Sequence, residues 1–317
     1  MTSHRIASQL IASHRLSPDL SPGHGIDRDT PITLTVDGGS VPAYAGDSVA
    51  SALLASGDVV CGPSLYRSRP RGLLAAGVEE PNALLRVEPR TPGGPSESML
   101  PATTVEAVDG LIAHWLQGRG VLDPAGDDAH YDRKYVHTDV LVVGAGPAGI
   151  AAAREAAKTG ARTILLDEQS SPGGSLLSGR DLPGRDDAID GGDAVAWARA
   201  TVDRLTAQPD AEYMPRTTAI GSYDANYVVA VERRAADVDT PRAAGVLRER
   251  VWHIRARRVV LATGAHERPL VFADNDRPGV MLAGAVRTYL NRYAVAAGRS
   301  VALATTDDSV YPLVEDL

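Results

Sequence analysis

The stretch HTDVLVVGAGPAGIAAAREAAKTGARTILLDE, residues 137–168, decides the fold. TDVLVVG is a continuous apolar run with no polar alternation, the pattern of a parallel strand covered on both faces. GIAAAREAAKTG then reads as an alanine-rich helix, and TILLDE as a second buried strand. Between strand and helix lie three glycines with distinct duties. Gly144 allows the tight turn, Gly146 lets backbone approach a pyrophosphate, and Gly149 lets the helix lie close to the sheet. The helix N-terminus supplies free N–H groups and the positive end of its dipole, with Ala148 in its first turn.

A lone GxGxxG says little. Here it follows a buried strand, opens a helix, and is followed by Ala153, Gly160 and an acidic residue at the next strand's end. Asp167 lies 23 positions after Gly144, where a carboxylate accepts hydrogen bonds from a ribose 2′-OH and repels a 2′-phosphate. That favours NAD or FAD over NADP, although Arg162 nearby argues the other way. Glu168 and Gln169 come next, and SPGGSLLSG places Gly173, Gly174 and Ser175 in a loop able to close over a dinucleotide; alone, Ser175 reads as a turn residue. VVLATGA (259–265) is another buried parallel strand with a small-residue exit at Gly264. The helix at 193–207 and the extended segments AEYMPRTTAIGSYD, NYVVAVERR and RVWHIRARR lie between.

Upstream the pattern changes. PITLTVDGGSVPAYAGDSV has the alternation and Asp37-Gly38-Gly39 turn of a hairpin, and Ser48 precedes a short helix ended by Gly57. These make a small α+β unit. PRTPGGPSESMLPATT (89–104) reads as a connector, and Val105, Val108, Ile112, Trp115 and Leu116 recur at helical spacing. GDDAHYDRKY (126–135) reads as a polar linker with His130 as a solvated loop residue. Residues 1–28 read as a disordered tail rather than a transit peptide.

Composition bounds the rest. The 317 residues suffice for two domains, and a formal charge of -8 without basic-aromatic clusters argues against nucleic acid. The single cysteine, Cys61, excludes an intramolecular disulfide and any multi-thiolate metal site, and suits a reducing cytosol. No apolar run is long enough for a membrane span. No catalytic group emerges: His253 reads as a sheet residue, and His266 and Glu267 as a surface turn.

GIDRDTPITLTVDG, YAGDSVASALLASG, YRSRPRGLLAAGVEEPNALLRV, DEQSSPGGSLLSG, RTTAIGSYDANY and VVLATGAHERPLVFADNDRPGVMLAGAVRTYLNRY together resemble the alpha subunits of heterotetrameric sarcosine oxidases, from about Gly25 to the end. The resemblance implies an α/β chain. A small α+β ferredoxin-like (β-grasp) domain lacking its iron-sulfur cluster (29–100) is followed by a helical linker (101–136). A Rossmann-type dinucleotide-binding domain of the two-dinucleotide-binding flavoprotein kind (137–285) comes next, and then the start of a second nucleotide-binding-type domain (286–317). It implies oxidative demethylation of sarcosine to glycine with hydrogen peroxide and formaldehyde or methylene-tetrahydrofolate as products, in the cytoplasm. FAD and covalent FMN then belong with the beta, gamma and delta partners, and NAD with this chain. Alternatives are an FAD-binding subunit of a related amine or amino-acid dehydrogenase, and an inactive truncated binding module. By motif position the implied cofactor contacts are Gly144, Gly146, Ala148, Gly149, Asp167, Glu168, Gln169, Ser175, Ala219 and Gly264, with Ala219 acting through backbone. No catalytic or metal-binding residue is assigned.

Two departures from the family stand out: residues 105–135 are fewer than usual, and the chain stops within the helix after GRSVALATT, which leaves a sheet edge uncovered. RGLLAAGVEEPNALLRV (71–87) has the outline of a C-x4-C-x2-C [2Fe–2S] loop whose ligand positions hold Ala75, Glu80 and Ala83. No cluster can form there, and the emptied loop favours these alpha subunits over related dehydrogenases that keep the cysteines.

Overall fold

A computed structural model describes residues 14–21, 23–89, 96–117, 119–120, 130–180, 189–234 and 247–317. The chain divides into two units, Met1–Asp128 with His266–Leu317, and Ala129–Ala265.

In the first unit, β1 (Asp27–Val36) and β2 (Gly39–Ala45) form the expected hairpin, with Asp37 and Gly38 both at positive φ as a tight two-residue turn requires. Ser48 caps α1 (Val49–Ala55), every residue of which is buried. Pro70–Arg71 (β4) pairs with Gly62–Pro63 (β3), while Leu84–Val87 (β5), Glu97–Pro101 (β6) and Ile112–Trp115 (β7) complete a sheet of order β2-β1-β7-β5-β6. Leu34, Val36, Leu85 and Val87 line its core. The unit is ferredoxin-like.

Several expectations are corrected here. The helix expected over 105–116 is not formed: β7 runs parallel to β1 and antiparallel to β5, so Ile112 and Trp115 belong to a ladder. Asp109 accepts a hydrogen bond from Thr33 N at 2.9 Å and Gly110 takes φ +75°, which together turn the chain into the sheet. The 89–104 connector contains β6, although 90–95 lie outside the described residues. Of the expected tail, 1–13 and 22 also lie outside them, but 14–21 are packed: Arg15 pairs with Asp47 at 2.7 Å and the buried Ser21 hydroxyl donates to Leu290 O at 2.6 Å.

The emptied loop has an interior of its own. Glu80, 3% exposed, accepts backbone N–H bonds from Leu74 (2.7 Å) and Ala75 (2.8 Å) on Oε2 and from Asn82 (2.7 Å) and Ala83 (3.2 Å) on Oε1. One carboxylate satisfies four buried or half-buried donors that the turn leaves without other partners. Ala283–Arg292 (α4) follows the 266–282 segment, with the fully buried Tyr289 donating to Ala75 O at 3.0 Å. The strand expected in GRSVALATT (298–306) is not formed: residues 299–305 pair with no strand among the described residues, and Tyr311–Asp316 (α5) packs on α4.

The second unit is a six-stranded sheet of order β10-β9-β8-β13-β12-β11. His130–Val143 (β8), Thr163–Leu166 (β9), Ala211–Met214 (β10) and Leu247–Leu261 (β13) are parallel, as continuous apolar runs demand. Tyr227–Arg233 (β12) joins β13 antiparallel, and Thr217–Tyr223 (β11) in turn pairs antiparallel with β12. The 126–135 linker is corrected in part, since from His130 it is the exposed first half of β8; 121–129 lie outside the described residues. Pro147–Lys158 (α2) and Ala194–Thr206 (α3) cover one face of the parallel half through Val142, Ile150, Leu165 and Val202. The opposite face gathers Leu141, Leu166, Trp252 and Ile254. β12 leaves β13 at Arg255, so among the described residues 256–261 have β8 on one side and no strand on the other, and Leu261 is 72% exposed.

Candidate dinucleotide site

Val143 is paired with both Leu166 and Leu261, so β8, β9 and β13 present their carboxyl ends side by side. The chain leaves β8 through α2 to β9 on one side, whereas β13 lies on the other. The crevice between β8 and β13 is therefore a topological switch point, where open α/β sheets bind ligands.

Close packing fixes the glycine loop. A Cβ at Gly149 would lie 1.8 Å from Gly144 O, and one at Gly144, which has φ +101°, 2.3 Å from Ala262 O. Both positions need glycine for steric reasons. At Gly146 a Cβ would meet nothing within 4 Å, so the loop faces open space where a side chain would otherwise stand. Gly146 is the N-cap of α2 and provides no side-chain acceptor, which leaves the first-turn N–H groups, including those at exposed Ala148 and at Gly149, without a cap. An uncapped helix start behind a glycine cradle fits a pyrophosphate.

Asp167 stands at the end of β9. Its Oδ2 accepts from Ala145 N at 2.6 Å and its Oδ1 from Gln169 N at 2.8 Å, which aims the carboxylate across the loop. Glu168 and Gln169 continue on the same rim, half-buried. Gly173 donates to Ala145 O at 2.8 Å, and a Cβ at Gly174 would come within 2.8 Å of Gly146 Cα. The 173–175 loop thus backs onto the glycine turn and leaves Ser175 exposed beside it. β11 starts against this rim, with Thr217 N donating to Asp167 O at 2.7 Å and Arg216 N to Gln169 O at 2.9 Å, and Ala219 follows two residues further along the strand, half-buried and paired with Ala230. Gly264 follows β13, at φ +72° with nothing within 4 Å of a Cβ position.

The sequence reading missed Ala145, whose N–H orients Asp167, and Thr217, which ties β11 to it; neither residue type announces such a role. Arg162 is removed from consideration as a phosphate ligand. It sits before β9, at the far end from Asp167, where Asp139 holds it through two side-chain bonds of 3.0 and 3.1 Å. The Arg162 guanidinium in turn holds Asp139 down to about 2. Tyr213 on β10 has its phenol pushed well up by burial and then by the Asp167 charge. His253 lies in β13, as expected of a sheet residue. Glu267 Oε1 accepts from Gly284 N at 2.9 Å, and His266 faces Glu79 at 3.5 Å, so both have local structural partners.

Two family models match. Residues 29–117 match the 2Fe-2S iron-sulfur cluster binding domain and 138–299 the pyridine nucleotide-disulphide oxidoreductases. For the first, the residues do not fit the group: the ligand positions hold no thiolate, and Glu80 fills the loop with an anion of its own. Curated relatives include the sarcosine oxidase subunit alpha of Corynebacterium sp. (strain P-1), 60% identical over 96% of this chain and 31% of that one. The subunit alpha of Rhizobium meliloti (strain 1021) is 42% identical over 92% of this chain and 33% of that one. The chain therefore spans about a third of the length of these relatives. Among solved structures, the L-proline dehydrogenase from P. horikoshii is similar at TM-score 0.67 and 25% identity, over 92% of this chain and 52% of that one.

Proposed function

The chain belongs to the pyridine nucleotide-disulphide oxidoreductase family and matches sarcosine oxidase alpha subunits along most of its own length, and on that premise we propose that it is the NAD-holding part of a sarcosine oxidase. The observation that carries the reading is the Asp167 carboxylate, aimed by Ala145 N across an uncapped helix start. In this proposal the N–H groups after Gly144 and Gly146, with Ala148 and Gly149, hold the pyrophosphate. Asp167 accepts from a ribose hydroxyl, Glu168 and Gln169 line the adenosine side, and Ser175, Ala219 and Gly264 close around it through backbone and hydroxyl. A bound nicotinamide dinucleotide supplies hydride-transfer chemistry. The chain's own residues bind and orient it, and no residue here is assigned to the oxidation of sarcosine.

The assembled enzyme, with beta, gamma and delta partners carrying FAD and FMN, would convert sarcosine to glycine with peroxide and a one-carbon product in the cytoplasm. Purified alone with sarcosine and oxygen, this chain is expected to make no peroxide; peroxide made without partners would refute the division of labour. A second reading, an FAD-binding subunit of an amine or amino-acid dehydrogenase, draws on the similarity to L-proline dehydrogenase over 92% of the chain. Identification of the bound dinucleotide separates the two.

A further inference from the structure

Helices α2 and α3 cover only the parallel half of the second unit's sheet. On the same side, no helix among the described residues packs on the other half. There, Arg133 and Tyr135 of β8 alternate with Asp132 and Lys134, which turn to the opposite face beside Arg250 and Trp252. Next to Tyr135, His253 of β13 stacks at 4.5 Å between centroids and 11° between planes. The Tyr227 hydroxyl bonds His253 Nδ1, and the Arg255 guanidinium lies 4.9 Å above the Tyr227 ring. Tyr223 extends the row, tilted on Tyr227 at 5.8 Å. Tyr135 and Tyr223 are 69% and 60% exposed.

The charges are one-sided. Among the described residues no carboxylate lies within ion-pair distance of Arg133 or Arg255, although the chain as a whole is at -8. Of the described acidic residues flanking this face, Asp139 is shared by Arg162 and Arg257, Glu249 stands opposite Arg233, and Asp224 meets Arg255 through its backbone O at 3.4 Å. Between them are half-buried Val229, Val231 and Val251. Apolar residues edged by tyrosine and arginine are what protein interfaces concentrate at their centres. The rings stack on each other along the sheet and so do not lie open as separate platforms for bases, which tells against single-stranded nucleic acid.

We propose that this face docks an acidic surface of a different protein chain, with Arg133 and Arg255 meeting carboxylates around the Tyr135–His253–Tyr227 row. The complementary charge sets orientation and encounter rate, and the rings supply the desolvated contact.

The test uses the purified full chain with fluorescein-labelled poly-L-glutamate as the acidic probe, followed by anisotropy at low and high salt. Binding that weakens with salt, and that falls about tenfold or more in R133E/R255E, is expected. The equal charge change R154E/R199E, on helices α2 and α3 themselves, should leave it unchanged. The milder R133Q/R255Q and Y135A serve if the charge-reversed chain loses its circular dichroism. No binding, equal loss in both double variants, or tighter binding of poly(U) at this face would overturn the proposal. So would self-association of the chain that R133E/R255E abolishes, because the occupant would then be a second copy.

Discussion

Asp167 Oδ2 accepts a hydrogen bond from the backbone N–H of Ala145 at 2.6 Å, joining the end of one parallel strand to the turn that follows its neighbour. This bond brings a carboxylate to the glycine turn, on the rim where a ribose would lie beside a pyrophosphate. D167A is expected to weaken dinucleotide binding by about 1.4–2.8 kcal/mol, roughly tenfold to a hundredfold in Kd, measured by calorimetry. G149A places a Cβ 1.8 Å from Gly144 O and should abolish binding and lower Tm together.

Arg162 is committed to Asp139 at the opposite end of β9. R162A should therefore leave the preference between NAD and NADP unchanged. A shift in that preference would mean that the guanidinium leaves Asp139 when ligand binds.

The emptied loop offers a stability test. Removing the Glu80 carboxylate leaves four backbone donors without their acceptor. E80A should cost about 2–4 kcal/mol in urea unfolding, and E80Q less, since one oxygen remains. An E80A midpoint equal to that of the unaltered chain would show that water replaces the carboxylate at no cost.

Cys61 is buried, and burial followed by the Glu80 charge pushes its thiol up to about 12 from an ordinary 9.0. Because the folded state keeps its proton longer than the unfolded state, this thiol's contribution to stability is complete below pH 9.0 and is lost as pH rises toward 12. The native chain should resist a disulfide thiol reagent at neutral pH and react with one equivalent once unfolded in urea. C61A should flatten the alkaline fall.

Much of the site was legible because its signals are local. The glycine turn, the strand before it and the acid after the next strand each follow from steric or hydrogen-bonding needs within some thirty residues. Trp115 shows where such reasoning stops: Val108, Ile112 and Trp115 fit a helix by spacing, but Gly110 at φ +75° and the neighbours β1 and β5 turn IAHW into a strand. Partner strands far away in sequence decided the matter. VALAT near the end is the converse, an apolar run that forms no ladder for want of a neighbour among the described residues. Arg15 and Ser21 look like tail residues in the sequence, and only their bonds to Asp47 and Leu290 O give them a place.

The central claim, a dinucleotide held as NAD at the β8–α2 turn, is tested most directly by denaturing the purified chain and identifying the released nucleotide by chromatography and absorbance, with NAD added back if none is released. The account predicts NAD, retained by the unaltered chain, lost in D167A, and without the visible absorption band of a flavin. Released FAD, or a chain that holds no NAD even when it is supplied, would contradict it.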